Sequence, residues 1–229
     1  SMNCISANRN FFYIGSLFIV AIVFCTWSIP LFDVDEGAFS EATREMVASG
    51  NYLTTWLNGE PRFDKPILVY WFQAAAVHLF GVTEWAFRLP SILATLGWVV
   101  AVYGFVKEQR NSEEALTAAL MTAASVGVMV IGRAATADAL LNLFIVLTMF
   151  DIYRFYVNPS RIFVYRSYLW VGLGLLTKGP VAVLIPVAVS GLFFIRQRQV
   201  EQWLRTMFSP IGWLIALTIA LPWYLLEYM

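Results

Sequence analysis

Eight of the chain's fifteen acidic residues fall between residues 32 and 85: Asp33, Asp35, Glu36, Glu41, Glu45, Glu60, Asp64 and Glu84. Asp35 and Glu36 stand where a helical pattern begins. Phe39, Ala42 and Met46 recur on one side of it, and Glu41, Arg44 and Glu45 fall on the other. Asp35 would sit at the amino terminus of this helix, at the membrane boundary, and Asp35 and Glu36 are candidate catalytic acids. The plain structural alternative is a cap from Asp33 or Asp35 with Glu36 as a first-turn acid. Gly50 supplies the usual stop signal. An amphipathic helix of this kind suits the surface of a membrane.

The next candidates lie in Asn58-Gly59-Glu60-Pro61-Arg62-Phe63-Asp64-Lys65-Pro66. Asn-Gly signals a turn, and Pro66 is a favoured first-turn residue for a helix over 66–80. The Lys65 ammonium beside that helix start, where free backbone N–H groups also point, makes a candidate phosphate site, which Arg62 extends. Lys65 reaching from an apolar surface to water is the bland alternative. Asp64 can be a cap or a ligand for a divalent metal ion, although one carboxylate does not specify a metal.

Later in the chain, Arg133 and Asp138 flank a tight Ala-Ala-Thr-Ala turn, and Lys178 stands in Thr177-Lys178-Gly179-Pro180. Ionisable groups at membrane depth are functional candidates by default. Asp138 joins the acids on this reasoning, and Arg133 and Lys178 join the anion-binding set. An Arg133–Asp138 pair that only fixes a turn is the structural alternative. Asp151 pairs naturally with Arg154 at helical spacing. The lone histidine, His78, reads as a polar spot on a surface helix.

The elements that must position these groups are hydrophobic. Of the 229 residues, 59% are hydrophobic and 13% charged, and the mean hydropathy is +0.68. That leaves too little polar surface for an ordinary soluble domain. Zero net charge gives no footprint for nucleic acid. Seven membrane spans are expected at about 11–31, 86–106, 115–131, 139–157, 164–177, 180–195 and 208–226. The 66–80 run is too short to span and is expected to lie flat. Helical geometry would separate Cys4 and Cys25 by roughly 30 Å, which rules out a bridge.

Basic residues support this layout. Beyond the first long loop, eight fall on one side and two, Arg133 and Lys178, on the other. The positive-inside rule then puts the amino terminus in the cytoplasm and the loop over about 32–85 outside. Ten acids share that outer side with only six bases. Acids with a few placed lysines at a membrane surface suit a reaction on a hydroxyl with an anionic lipid donor. They also suit an ion-coupled transporter. The expected fold class is an all-α polytopic membrane helix bundle with amphipathic surface helices in its first outer loop, built as one module over 1–229.

An ordered set of short strings carries a family resemblance. These are Asp35-Glu36-Gly37, Ala42 to Met46, Gly50, Leu57-Asn58-Gly59-Glu60-Pro61, Phe63-Asp64-Lys65-Pro66, Tyr70-Trp71, Trp85 to Ser91, and Thr177-Lys178-Gly179-Pro180. Together they resemble lipid-dependent GT-C glycosyltransferases, in the branch of bacterial aminoarabinose transferases and protein mannosyltransferase-like enzymes. The resemblance implies a polyprenyl-phosphate-linked sugar donor, inversion at the anomeric carbon, and a site at the outer face of the bacterial cytoplasmic membrane.

It implies Asp35 as the catalytic carboxylate and Asp138 as a second acid near the site. Lys65 and Lys178 are implied on the leaving phosphate, and Asp64 at a position able to hold a divalent ion. No organic cofactor is expected. Membrane lipids surround the protein, and the acceptor is a lipid, glycan or protein hydroxyl. Members of the family carry further spans, an outer domain and more donor-site basic residues. The chain is therefore expected to match an N-terminal module without the family's C-terminal half. Ala38 and Phe39 stand where aminoarabinose enzymes tend to have a basic residue and a tyrosine, which weakens the link to that sugar. A protein that binds polyprenyl phosphate without turning it over is a third reading.

Overall fold

The computed structural model describes Ser16, Leu31 and residues 34–227. Asp33, both cysteines and the expected first span, apart from Ser16 and Leu31, lie outside the described residues. The described chain is helical, and one two-residue antiparallel ladder is its only sheet. Helix α1 (Val34–Ser49) leads to strands β1 (Trp56–Leu57) and β2 (Glu60–Pro61), then to α2 (Leu68–Phe80). Trp56 pairs with Pro61 and Leu57 with Glu60. The turn between them places Asn58 at φ 55° and Gly59 at φ 79°, the two left-handed positions that Asn-Gly accepts most readily. The Glu45 carboxylate accepts from the N–H groups of Asn58 (2.7 Å) and Gly59 (3.4 Å), which ties this turn to α1.

Helix α1 forms as its periodicity predicts. Phe39, Ala42 and Met46 are buried, Arg44 is exposed, and the Gly50 N–H bonds back to the Met46 carbonyl at 3.0 Å. Its apolar side does not face open membrane, however. It packs against α2, because Tyr70 stacks on Phe39 at 5.3 Å and Ile67, Val69 and Ala74 close over it. The membrane-surface expectation for this face is corrected accordingly: its partner is protein. At 13 residues, α2 is about 20 Å long, short of the roughly 30 Å of a bilayer core.

The bundle continues with α3 (Glu84–Gln109), α4 (Ser112–Ala124), α5 (Val126–Arg133), α6 (Asp138–Val157), α7 (Arg161–Lys178), α8 (Val181–Arg196), α9 (Val200–Met207) and α10 (Pro210–Glu227). Three of these, α3, α6 and α10, are long and apolar enough to cross a bilayer unaided. The span expected at 115–131 is broken into α4 and α5, which meet at 61°. The break sits at Ser125, whose extended backbone ends α4 and whose hydroxyl caps α5 through the Val128 N–H at 3.3 Å. The short helix α9, in a stretch read as a connection, is held by Tyr168, whose hydroxyl donates to the carbonyls of Thr206 (2.9 Å) and Met207 (2.7 Å). Helices α7 and α10 touch through glycine: a Cβ at Gly172 would come within 3.1 Å of the Ala216 Cα.

Candidate functional site

Five helices meet at one end of the bundle. Phe39 and Met46 of α1, Tyr70 of α2, Leu140 of α6, Leu176 of α7 and Trp223 of α10 share one buried cluster. Every candidate residue sits on or beside these elements. Asp138 starts α6 and Lys178 ends α7, so the antiparallel pair brings them together. The Lys178 ammonium donates to the Asp138 Oδ1, and both side chains remain about one-third exposed. Charges of these signs also complement the two helix ends. Trp223 donates its indole N–H to the Leu53 carbonyl at 2.9 Å and Thr54 donates to Glu227 at 3.1 Å, so α10 holds down the loop after α1.

On the loop side, the Arg62 guanidinium lies over the Phe39 ring, 5.6 Å from its centroid. Arg62 donates to Asp64 Oδ2 at 2.9 Å and Lys65 donates to Asp64 Oδ1 at 2.8 Å. The hydrogen bond from Lys65 holds the Asp64 carboxyl below its usual range; burial opposes this, and the hydrogen bond from Arg62 adds to the lowering. Tyr70 lies beneath with its hydroxyl buried and without a hydrogen-bond partner among the described residues. Burial pushes that phenol up to about 12. The result is a compact cationic corner of Arg62, Lys65 and one shared carboxylate.

Both Asp64 oxygens accept from cations in this arrangement. No cluster of three or more histidine, cysteine, aspartate or glutamate side chains occurs among the described residues. One carboxylate alone does not specify a divalent metal ion.

Asp35 and Glu36 are neighbours with opposite fates. Glu36 is fully buried and paired with Arg88 of α3 through two hydrogen bonds, at 2.8 and 3.0 Å. Its Oε1 also accepts from the Ala135 N–H at 2.8 Å. A carboxylate enclosed in this way cannot reach a substrate hydroxyl, so the catalytic expectation for Glu36 is corrected to a structural one. Asp35, one residue earlier in the first turn of α1, is exposed and has no hydrogen bond or ion pair among the described residues. Of the adjacent acids, only Asp35 is free to act as a base. Arg133 closes α5 just before the turn whose Ala135 meets Glu36.

Two structural residues escaped the sequence reading. Arg88, only 2% exposed, was visible only as a charge at the start of an apolar span, which was itself the signal. Gln73 interrupts the apolar face of α2 for a reason. It accepts from Thr43 at 2.6 Å and donates to the carbonyls of Phe87 (3.1 Å) and Ala135 (3.3 Å). It therefore joins α1, α2, α3 and the α5–α6 turn at one point. At the far end, buried Asp151 meets Arg154 (2.9 Å) as expected, and also Arg166 (3.2 Å) and the Trp170 indole (2.9 Å). His78 shares a 2.6 Å hydrogen bond with Tyr52 on the surface.

Fold and site together define a multi-pass helical membrane protein with a charged corner at one end of its bundle. The profile of the dolichyl-phosphate-mannose-protein mannosyltransferase family matches residues 64–225, and the chain belongs to that family. Asp35 lies ahead of the matched stretch. The undecaprenyl phosphate-alpha-4-amino-4-deoxy-L-arabinose arabinosyl transferase of Aeromonas salmonicida is 34% identical over 85% of this chain and 36% of its own length. Transferase 1 of the same kind from Proteus mirabilis is 30% identical over 90% of this chain and 39% of its own. The chain thus spans less than half the length of these relatives. ArnT from Cupriavidus metallidurans, in a crystal structure bound to undecaprenyl phosphate, superposes with a TM-score of 0.88 at 24% identity. That match covers 94% of this chain and 40% of ArnT, and it establishes the shared fold.

Proposed function

We propose that the chain is the donor-side module of an inverting membrane glycosyltransferase. It moves a sugar from a polyprenyl phosphate to an acceptor hydroxyl on a lipid, glycan or protein at the outer face of the bacterial cytoplasmic membrane. The observation that carries this reading is the division of labour between adjacent acids. Glu36 is locked to Arg88, while Asp35 stands exposed at the same bundle end as Lys65 and Lys178.

In this reaction the acceptor oxygen forms a bond to the anomeric carbon as the carbon–oxygen bond to phosphate breaks. Asp35 takes the hydroxyl proton. The bonding electrons leave on the phosphate oxygen, where Lys65, Arg62 and Lys178 meet the developing charge. Asp138 holds Lys178 in place. The charge bias of the connecting segments supports a cytoplasmic amino terminus and an outer first loop. Lys65 and Arg62 can turn from Asp64 to the incoming phosphate, since Asp64 is half exposed.

An ion-coupled transporter would need an acid in the bundle interior that is free to load an ion. Among the described residues the two fully buried acids, Glu36 and Asp151, are both neutralised by arginine, which favours the transferase. The test uses membranes containing the native-length protein, a polyprenyl-phosphate sugar and a mixture of acceptors. Transfer of sugar with release of polyprenyl phosphate supports the proposal. Uptake into sealed vesicles without transfer sinks it.

A further inference from the structure

The opposite end of the bundle holds a cavity. It opens between the α6–α7 turn and the α9–α10 turn and has a volume of about 720 Å³. Phe155, Val164, Tyr165 and Phe208 form its walls, and Arg161 and Arg205 stand on its lining. Helix α7 carries Arg161 at this end and Lys178 at the other, 17 residues later. At 1.5 Å per residue that is about 26 Å, close to the thickness of a bilayer core. The cavity therefore lies at the other membrane interface from the candidate site.

Its arginines belong to the basic side of the bundle, and contacts within the fold engage them little. Arg161 begins α7, where a cation opposes the positive end of the helix. It is exposed and has no carboxylate partner among the described residues. Arg205 pairs with Glu201 at 2.7 Å, but both are more than three-quarters exposed, so the pair is weak. The neighbouring Arg154 and Arg166, by contrast, are engaged by Asp151. The surroundings are strongly apolar: Phe208 and Ile211 on the lining are each at least half exposed. A free phosphate ion has no use for such walls, whereas acyl chains do.

We infer that this cavity binds an anionic phospholipid of the surrounding bilayer, its headgroup phosphate on Arg161 and Arg205 and its acyl chains along Phe208 and Ile211. Basic pockets between membrane helices near an interface select anionic headgroups in this way. The site involves none of the residues assigned to sugar transfer and stands without that assignment.

The test is a thermal-shift titration of the purified chain in neutral detergent with short-chain phosphatidylglycerol, phosphatidylcholine or inorganic phosphate. Phosphatidylglycerol is expected to raise the melting temperature saturably, and the other two are not. Arg161→Gln and Arg205→Gln should each weaken half-saturation roughly five-fold, and the double variant should remove most of the shift. Arg161→Lys with Arg205→Lys keeps the charge and should retain it, which separates loss of binding from loss of fold. Arg110→Gln, a change elsewhere on the same face, should leave the titration unchanged. Equal shifts from phosphatidylcholine or inorganic phosphate overturn the inference, as does an undiminished shift in the double glutamine variant.

Discussion

Glu36 and Arg88 are 52 residues apart in sequence, yet they form a closed pair with both side chains at most 2% exposed. The pair fixes α1 to α3, and the Ala135 N–H bonded to Glu36 adds the α5–α6 turn. Because Glu36 points inward, its neighbour Asp35 is left at the surface. Arg88→Met removes the arginine that neutralises the buried Glu36 carboxylate and should cost about 3–5 kcal/mol. Glu36→Gln with Arg88→Met keeps an acceptor for the Ala135 N–H and should recover much of that loss. Melting in detergent checks both, and a double variant less stable than Arg88→Met alone would contradict the pairing.

Gln73 should behave as a second, neutral strut. Gln73→Leu removes the amide donor from the carbonyls of Phe87 and Ala135 and leaves the Thr43 hydroxyl only its bond to the Phe39 carbonyl. A loss of about 1–3 kcal/mol is expected for unsatisfied buried groups. A Gln73→Leu protein with unchanged melting would show that water or backbone movement replaces the strut.

How much of this was legible in the sequence depends on what each residue touches. The helices followed from apolar periodicity, and the β-turn from Asn58-Gly59, because both are local signals. Asp35, Lys65, Asp138 and Lys178 were found as charges at the ends of apolar runs. Which of Asp35 and Glu36 faces solvent was not legible, since it is decided by Arg88 on a distant helix. The bend at Ser125 was hidden because its flanks, Ala123-Ala124 and Val126-Gly127, keep the run apolar. The covering of α1 by α2 depends on Tyr70 and Ile67, whose burial no local pattern records.

Asp64 carries a pH signature. The Lys65 hydrogen bond lowers its folded-state pKa, so its contribution to stability is present above the unfolded value, near 3.8, and is lost as pH falls through the folded one. The effect is small because Asp64 is half exposed and screened by water. The acid limb of the stability profile below about pH 4 should therefore be slightly shallower in Asp64→Asn than in the wild type. In Lys65→Met, the Asp64 titration followed by NMR should move back up toward the ordinary value. A lower Asp64 pKa in that variant would overturn the assigned cause.

Lys178 is expected to recognise phosphate, with Asp138 as its positioning partner. Lys178→Met should weaken binding of polyprenyl phosphate to the native-length protein about 10- to 100-fold, as for loss of a charged hydrogen bond. Lys178→Arg should retain most of the affinity, and Asp138→Asn should lose less than Lys178→Met. Direct binding titrations rank the variants; unaltered affinity in Lys178→Met removes the lysine from the site.

In the proposed mechanism Asp35, and not Glu36, accepts the proton. The most direct measurement is single-turnover sugar transfer by the native-length Asp35→Asn protein, alongside its melting temperature and its affinity for polyprenyl phosphate. Transfer should fall by about 10²- to 10⁴-fold, with melting and lipid affinity close to wild type. Transfer at the wild-type rate in Asp35→Asn would contradict the account.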